Sequence, residues 1–139
     1  MDVAQVARLV RGARRIAVLG IKTEAQSGQP AYYVPAYLAA AGLTILPVPV
    51  YYPDATTILG QPVYRRVADV PGPLDIVDVF RRSESLSEHV PDLLAARPQA
   101  VWFQSGIRND QVAAQLTAAG IIVVQDRCLM VDHRRYGSG

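Results

Sequence analysis

The sequence predicts an α/β protein built on a doubly wound parallel sheet of about five strands. Five short apolar runs, rich in β-branched residues and bounded by Gly, Pro or charged residues, are typical of buried parallel strands. Segments of helical character separate most of these runs, which indicates right-handed crossovers between the strands. A chain of 139 residues, of which 50% are apolar, can bury one sizeable core. We therefore expect residues 1–139 to form a single domain.

The predicted elements alternate along the chain after a leading helix within residues 1–13. The five predicted strands cover residues 15–20, 43–50, 75–80, 100–104 and 121–126. The predicted helices cover residues 3–10, 31–41, roughly 84–96, 109–119 and 129–136. Gly42 and Gly120 directly follow two of these helices, as glycine commonly does at a helix end. Residues 51–73 are dense in Pro, Gly and Tyr, which favours an ordered connection with at most a short helix around residues 64–70.

Composition and charge exclude several classes of protein. The formal net charge of +2 falls short of the basic stripe of a nucleic-acid-binding protein, although it permits a small anionic ligand. No run approaches the ~20 apolar residues of a membrane-spanning helix, and "MDVAQVARLVRGARR" lacks the apolar centre of a signal peptide. The single cysteine, Cys128, cannot form an intramolecular disulfide and is expected to be a packed thiol. These features predict a cytoplasmic protein that contacts neither nucleic acid nor membrane.

The loops that follow the strands are the candidate binding regions, because ligands of doubly wound sheets bind outside the carboxyl ends of the strands. The first loop has Gly20 at a strand end and Gly28 before a helix, so main-chain amides and the positive helix end suit a phosphate. Neither the G-x-G-x-x-G spacing of dinucleotide sites nor the G-x-x-x-x-G-K-[ST] spacing of a P-loop is present. The alternative is a turn that needs glycine for local reasons only.

The loop after the second strand argues against NAD as the ligand. An NAD site needs an acidic residue at that strand end for the ribose hydroxyls. The sequence there is "PVPVYYP", and the nearest acidic residue, Asp54, lies well inside the loop. Residues 47–53 form a proline-rich apolar ledge that suits the flat face of an adenine ring. The alternative is that these prolines only stiffen a turn.

Cationic residues gather at the first and third strand ends. The stretch "VFRR" places Arg81 and Arg82 directly after the third strand, and Lys22 lies in the first loop. The planar guanidinium group suits phosphate, so these three cations favour a ligand that carries several phosphate charges. The alternative is that the two arginines are solvated residues at the start of a helix.

The fourth loop, "QSGIRND", combines polar side chains with a glycine. Gln104 is suited either to donate a hydrogen bond to a ligand or to tie neighbouring loops together. Gly106 permits a tight turn, and Asn109 is placed to cap the helix that follows.

Six motifs stand in a specific order between about residues 14 and 136: "IAVLG", "ILPVPV", "ILGQPVY", "DIVDVFRR", "AVWFQSGI" and "DRCLMVDH". In that order the chain resembles the small stand-alone CoA-binding proteins, relatives of the CoA-binding domain in the α-subunit of succinyl-CoA synthetase. The resemblance implies a three-layer α/β/α, Rossmann-like fold and a coenzyme A or acyl-CoA ligand.

The resemblance also implies which residues form the site. Gly20, Ile21 and Lys22 would contact the phosphates of CoA, and Val48 and Pro49 would border its adenine. The other contacts would come from the third and fourth loops, through Val79, Phe80, Arg81, Arg82, Gln104 and Gly106. Two stretches depart from the family pattern. Where the family has Ser-Tyr-Arg, this chain has "AYY", so Ala31 and Tyr33 replace a hydroxyl and a cation. Where the family has Pro-Val-Asn-Pro, this chain has "PVPV", so Pro49 replaces an amide.

No catalytic constellation accompanies these residues. The synthetase α-subunit carries its phosphorylated histidine in a second domain, which we do not expect here; His89 and His133 have no evident catalytic partner, and no metal-ligand spacing is present. We therefore expect CoA or acyl-CoA binding without catalysis. The alternatives are an NAD(P)-binding or acyl-CoA-converting subunit of a larger enzyme, and a structural dimer with a vestigial cleft. A homo-oligomer and an enzyme partner are both compatible with the sequence, as are free CoA and acyl-CoA.

Overall fold

The computed structural model describes residues 1–137 and contains seven strands and five α-helices within them. The strands are β1 (Arg15–Leu19), β2 (Thr44–Val48), β3 (Thr57–Ile58), β4 (Gln61–Pro62), β5 (Ile76–Val79), β6 (Ala100–Phe103) and β7 (Ile122–Val124). The helices are α1 (Val3–Gly12), α2 (Pro30–Ala40), α3 (Val90–Ala96), α4 (Asp110–Ala118) and α5 (Leu129–Tyr136). Short 3₁₀ helices cover Glu24–Gln26, Val67–Asp69 and Ser83–His89.

Five of the strands form one parallel sheet in the order β2-β1-β5-β6-β7. The chain runs outward from β1 to β2, returns to the other side of β1 as β5, and continues outward through β6 to β7. The strand order therefore reverses between β1 and β5, where Leu19 lies opposite Val79. The predicted doubly wound sheet of five strands is confirmed.

Helices cover both faces of the sheet, so that nearly all residues of β1, β2, β5 and β6 are buried. On one face α1, α2 and α5 bury a core that includes Val18 and Trp102. On the other face α3 and α4 bury a second core that includes Val77 and Phe103. The result is the three-layer α/β/α, Rossmann-like arrangement. No helix within residues 1–137 is long and apolar enough to cross a membrane.

Most of the predicted helices lie where their sequence signals place them. A capping box between Asp2 and Gln5 begins α1, and the Asn109 carboxamide accepts a hydrogen bond from the Val112 amide at 3.1 Å, which confirms the predicted cap of α4. The predicted helix at residues 84–96 is wrong in type over its first half, which is a 3₁₀ helix that leads into α3. The β3-β4 hairpin was not predicted, because each of its strands has only two residues.

One acidic residue lies in the middle of the sheet. Asp78 of β5 is fully buried between Val18 of β1 and Trp102 of β6, with which it is in register. Neither of its carboxylate oxygens has a hydrogen-bond partner among residues 1–137. Burial raises the pKa of Asp78 well above its ordinary value. Desolvation therefore favours the neutral form of this carboxyl group.

Candidate functional site

A cleft of about 640 Å³ opens at the carboxyl end of the sheet. Its walls are the start of α2, the segment that follows β5, the segment that follows β6 and the residue before α5. Six of the predicted site residues line it: Lys22, Phe80, Arg81, Arg82, Gln104 and Gly106. The cleft therefore lies where a doubly wound sheet places its ligand.

Gly20 lies at the junction of β1 and β5, beside the cleft rather than in its wall. Its amide donates to the Val48 carbonyl at 2.9 Å, and the Phe80 amide donates to the Leu19 carbonyl at 2.9 Å. A Cβ atom at position 20 would lie 2.3 Å from the Phe80 carbonyl oxygen, and the backbone φ angle is +87°. Gly20 is thus required for the close approach of the two strand ends, and its amide is already paired.

The first loop offers the cleft one charged side chain. Ile21 is buried in the core, and the Lys22 amide donates to the Ala31 carbonyl at 3.1 Å. The Lys22 ammonium lines the cleft, where it donates to the side-chain oxygen of Gln29. The Gly20 and Lys22 amides are already paired, so the Lys22 side chain and the exposed start of α2 are the parts of this loop left open to an anion.

Two adjacent arginines, Arg81 and Arg82, occupy different environments. The Arg81 side chain is only 12% exposed; its Nε donates to His89 Nε2 and its Nη2 to Glu88, both at 3.1 Å. The remaining nitrogen, Nη1, lies 3.4 Å from the Tyr51 hydroxyl. Arg82 is exposed, and its guanidinium has no partner among the residues the structure describes. Arg82 is thus the arginine available to an anion.

The charge of Arg81 affects both groups that it contacts. A hydrogen bond and the positive charge of Arg81 lower the pKa of the Tyr51 hydroxyl. Burial lowers the pKa of His89, and the nearby Arg81 lowers it further. The neutral His89 ring can therefore accept the hydrogen bond from Arg81 Nε.

The segment after β6 is held from two sides. The buried Gln104 accepts a hydrogen bond from the Leu129 amide at 3.0 Å, so its oxygen ties β6 to α5. Gln104 lines the cleft, and its Nε2 has no hydrogen-bond partner within residues 1–137. Gly106 has a φ angle of +81°, and its amide donates to the Asp126 carboxylate at 2.6 Å. Gln104 therefore ties neighbouring segments together, which is one of its two expected roles, and donation from its Nε2 to a ligand stays a prediction.

Three other predicted site residues are buried: Val48, Pro49 and Val79. They do not line the cleft, and their burial limits any ligand contact to the main chain. The cleft includes residues that sequence reasoning missed, among them Val34, Ile107 and Cys128. Cys128 is half-buried and packs against the core on the face of the sheet that α1, α2 and α5 cover. Only the topology, which brings the start of α5 beside the end of β6, could have placed it there.

A cleft at the switch point of an open parallel sheet, with cations on its walls, defines the class of Rossmann-like ligand-binding domains. The family model of the CoA binding domain matches residues 14–134, so the chain belongs to this family. The predicted family is thereby confirmed.

Several known proteins are similar to the chain. It is 30% identical over 130 residues to the uncharacterized protein YneT of Bacillus subtilis strain 168, covering 94% of this chain and 93% of YneT. The solved structure of cell-free ID.343 from Thermus thermophilus has a TM-score of 0.88 and 40% identity to this chain. The match covers 98% of this chain and 99% of the Thermus chain. A dinucleotide-forming acetyl-coenzyme A synthetase of Ca. Korarchaeum cryptofilum shares the fold alone, at 18% identity and a TM-score of 0.70 over 85% of this chain and 26% of the synthetase.

Proposed function

We propose that the protein binds coenzyme A or an acyl-CoA in the cleft at the carboxyl ends of its parallel strands, without catalysis of its own. The observation that carries this proposal is the cleft of about 640 Å³ at the switch point of a chain in the CoA binding domain family. The family supports coenzyme A as the ligand, and the position of the cleft supports where this ligand would bind. In an α/β sheet of this topology the switch point is the expected binding position.

The chemistry of the cleft suits a ligand with an anionic part and an apolar part. Lys22 and Arg82 supply the positive charge, and charge-assisted hydrogen bonds to phosphate are the strong ones. Phe80 and Ile107 are partly exposed apolar side chains that line the same cleft and suit the uncharged pantetheine arm. CoA carries a pyrophosphate, a 3′-phosphate and that arm in one molecule.

The surroundings of the three reactive side chains support a binding role. Cys128 is the thiol of the cleft, but the two histidines are engaged elsewhere. His89 accepts from Arg81, and His133 Nδ1 lies 2.9 Å from the Tyr37 hydroxyl. Within the described part of the chain, no group of three or more His, Cys, Asp or Glu residues could hold a metal ion. The proposal therefore assigns no base to the thiol.

Isothermal titration of the purified protein with CoA, dephospho-CoA and NAD tests the proposal. We expect CoA to bind, dephospho-CoA to bind more weakly because it lacks the 3′-phosphate, and NAD to bind weakly or not at all. Arg82→Ala and Lys22→Ala are each expected to weaken CoA binding about 10-fold or more, the loss of one charge-assisted hydrogen bond. Arg8→Ala, an exposed arginine on α1, is the control. Absence of heat at millimolar CoA would refute the proposal, and NAD binding in its place would favour the dinucleotide alternative.

A further inference from the structure

Tyr51 is a large aromatic side chain that is 65% exposed beside the cleft. It follows β2, at the same end of the sheet as the cleft. The guanidinium carbon of Arg81 lies 5.7 Å from the centre of the Tyr51 ring, within the range of a cation–π contact. Tyr51 does not itself line the cleft, but its contact with Arg81, which does, places its ring next to that wall.

Several hydrogen bonds tie together the loop that carries Tyr51. Arg65 donates to the carbonyl oxygens of Tyr52, Pro53 and Ala55 at 3.2, 3.1 and 2.8 Å. The Ala55 amide closes a turn on the Tyr52 carbonyl at 3.1 Å. An exposed aromatic ring on a loop that hydrogen bonds already restrain has less conformational freedom to lose when a flat ligand packs on it.

We propose that Tyr51 is the stacking platform for the adenine ring of the ligand, an inference that rests on the proposed function. The predicted adenine ledge at residues 47–53 is buried at Pro49 and Val48, so neither of these side chains offers an open face. Tyr51 is the aromatic side chain that this ledge exposes most. Nucleobases stack on aromatic side chains through their π faces, without the need for hydrogen bonds to the base.

Arg81 is the positioning residue of this platform. Glu88 and His89 fix its guanidinium, which in turn packs against the Tyr51 ring. Arg81 therefore acts on the adenine through Tyr51, whereas Arg82 is exposed at the cleft itself.

The test compares ligands that contain different parts of CoA. Titrations of the full-length wild type, Tyr51→Ala and Tyr51→Phe use CoA, adenosine 3′,5′-bisphosphate and 4′-phosphopantetheine. Tyr51→Ala is expected to weaken CoA and the bisphosphate by about 5- to 150-fold, the range of base–aromatic stacking. It is expected to leave 4′-phosphopantetheine unchanged, because this ligand has no adenine. Tyr51→Phe keeps the ring and is expected to bind all three ligands as the wild type does.

Each outcome decides a separate point. If the wild type binds CoA and Tyr51→Ala binds it equally well, the platform is wrong and the proposed function stands. An equal loss for 4′-phosphopantetheine would also overturn the platform, since the effect would then not come from the adenine. If the wild type binds no CoA, the proposed function fails and the platform fails with it. A nuclear Overhauser effect between the adenine protons and the Tyr51 ring in the wild type would give the same answer without a variant, and its absence from a saturated complex would contradict the inference.

Discussion

Replacement of Asp78 by asparagine is expected to shift the free energy of unfolding, relative to the wild type, in the stabilising direction as pH rises. Asp78 is 0% exposed, and its two oxygens have no partner within residues 1–137. Desolvation is the cause that raises its pKa well above the ordinary value of 3.8. Asparagine has nearly the same shape and carries no ionisable proton, so the substitution removes the pH-dependent cost of this position.

The sign follows from proton binding in the two states. Above the ordinary pKa the unfolded chain loses the Asp78 proton, while the folded protein keeps it until the pH reaches the raised pKa. The stability that the protonated group contributes is therefore complete at low pH and is lost as pH rises through that window. The slope is about 1.4 kcal/mol per pH unit for one proton. The free energy of unfolding of Asp78→Asn, relative to the wild type, is expected to increase by this amount per unit until the pH reaches the raised pKa.

Urea unfolding of both proteins at pH 5, 6 and 7 measures the effect, because the titration of all other groups cancels in the difference. In a thermal unfolding experiment, the same change per pH unit would shift the difference in melting temperature between the two proteins by about 3–5 °C for a chain of this size. Asp54→Asn, at an exposed aspartate, is the matched control and is expected to show no such trend. A constant difference between Asp78→Asn and the wild type at all three pH values would refute the reasoning, since Asp78 would then have the same charge in both states.

Two further predictions concern the loops that position the site. Gly20→Ala is expected to lower the free energy of unfolding by about 2 kcal/mol or more, because it adds a close contact with the Phe80 carbonyl to a left-handed φ of +87°. Gly120→Ala is the control, because Gly120 has a similar φ of +86° but open space around its Cβ position. Urea unfolding should show a smaller loss of unfolding free energy for Gly120→Ala than for Gly20→Ala. Equal losses would contradict the role of the Phe80 contact. Asp92→Ala is expected to cost about 1–3 kcal/mol, because the carboxylate accepts the Val67 and Ala68 amides at 2.8 and 2.9 Å. A melting temperature equal to that of Asp69→Ala, at an exposed aspartate, would argue against it.

The sheet could be predicted from the sequence because its signal is local. Short apolar runs between Gly, Pro and charged residues predict buried parallel strands, and each of the five runs contains a strand of the sheet. The signal was too weak for the two-residue strands β3 and β4. The burial of Asp78 was not predicted either, because a single acidic residue within "DIVDVF" is an ordinary interruption of an apolar run. Its burial depends on α-helices that are distant in sequence and cover that face.

The different environments of Arg81 and Arg82 show why the site was harder to predict than the sheet. As neighbours of the same type after β5, they suggest the same role in the sequence. The structure separates them through residues far from that motif: Tyr51, Glu88 and His89 occupy the three guanidinium nitrogens of Arg81. Arg82 keeps its charge free of partners in the described residues. In the proposed complex, loss of Arg82 therefore removes a phosphate contact, whereas loss of Arg81 releases the Tyr51 ring. Arg81→Ala should weaken the adenine-containing ligands and leave 4′-phosphopantetheine unchanged, as Tyr51→Ala does, whereas Arg82→Ala acts through the phosphates.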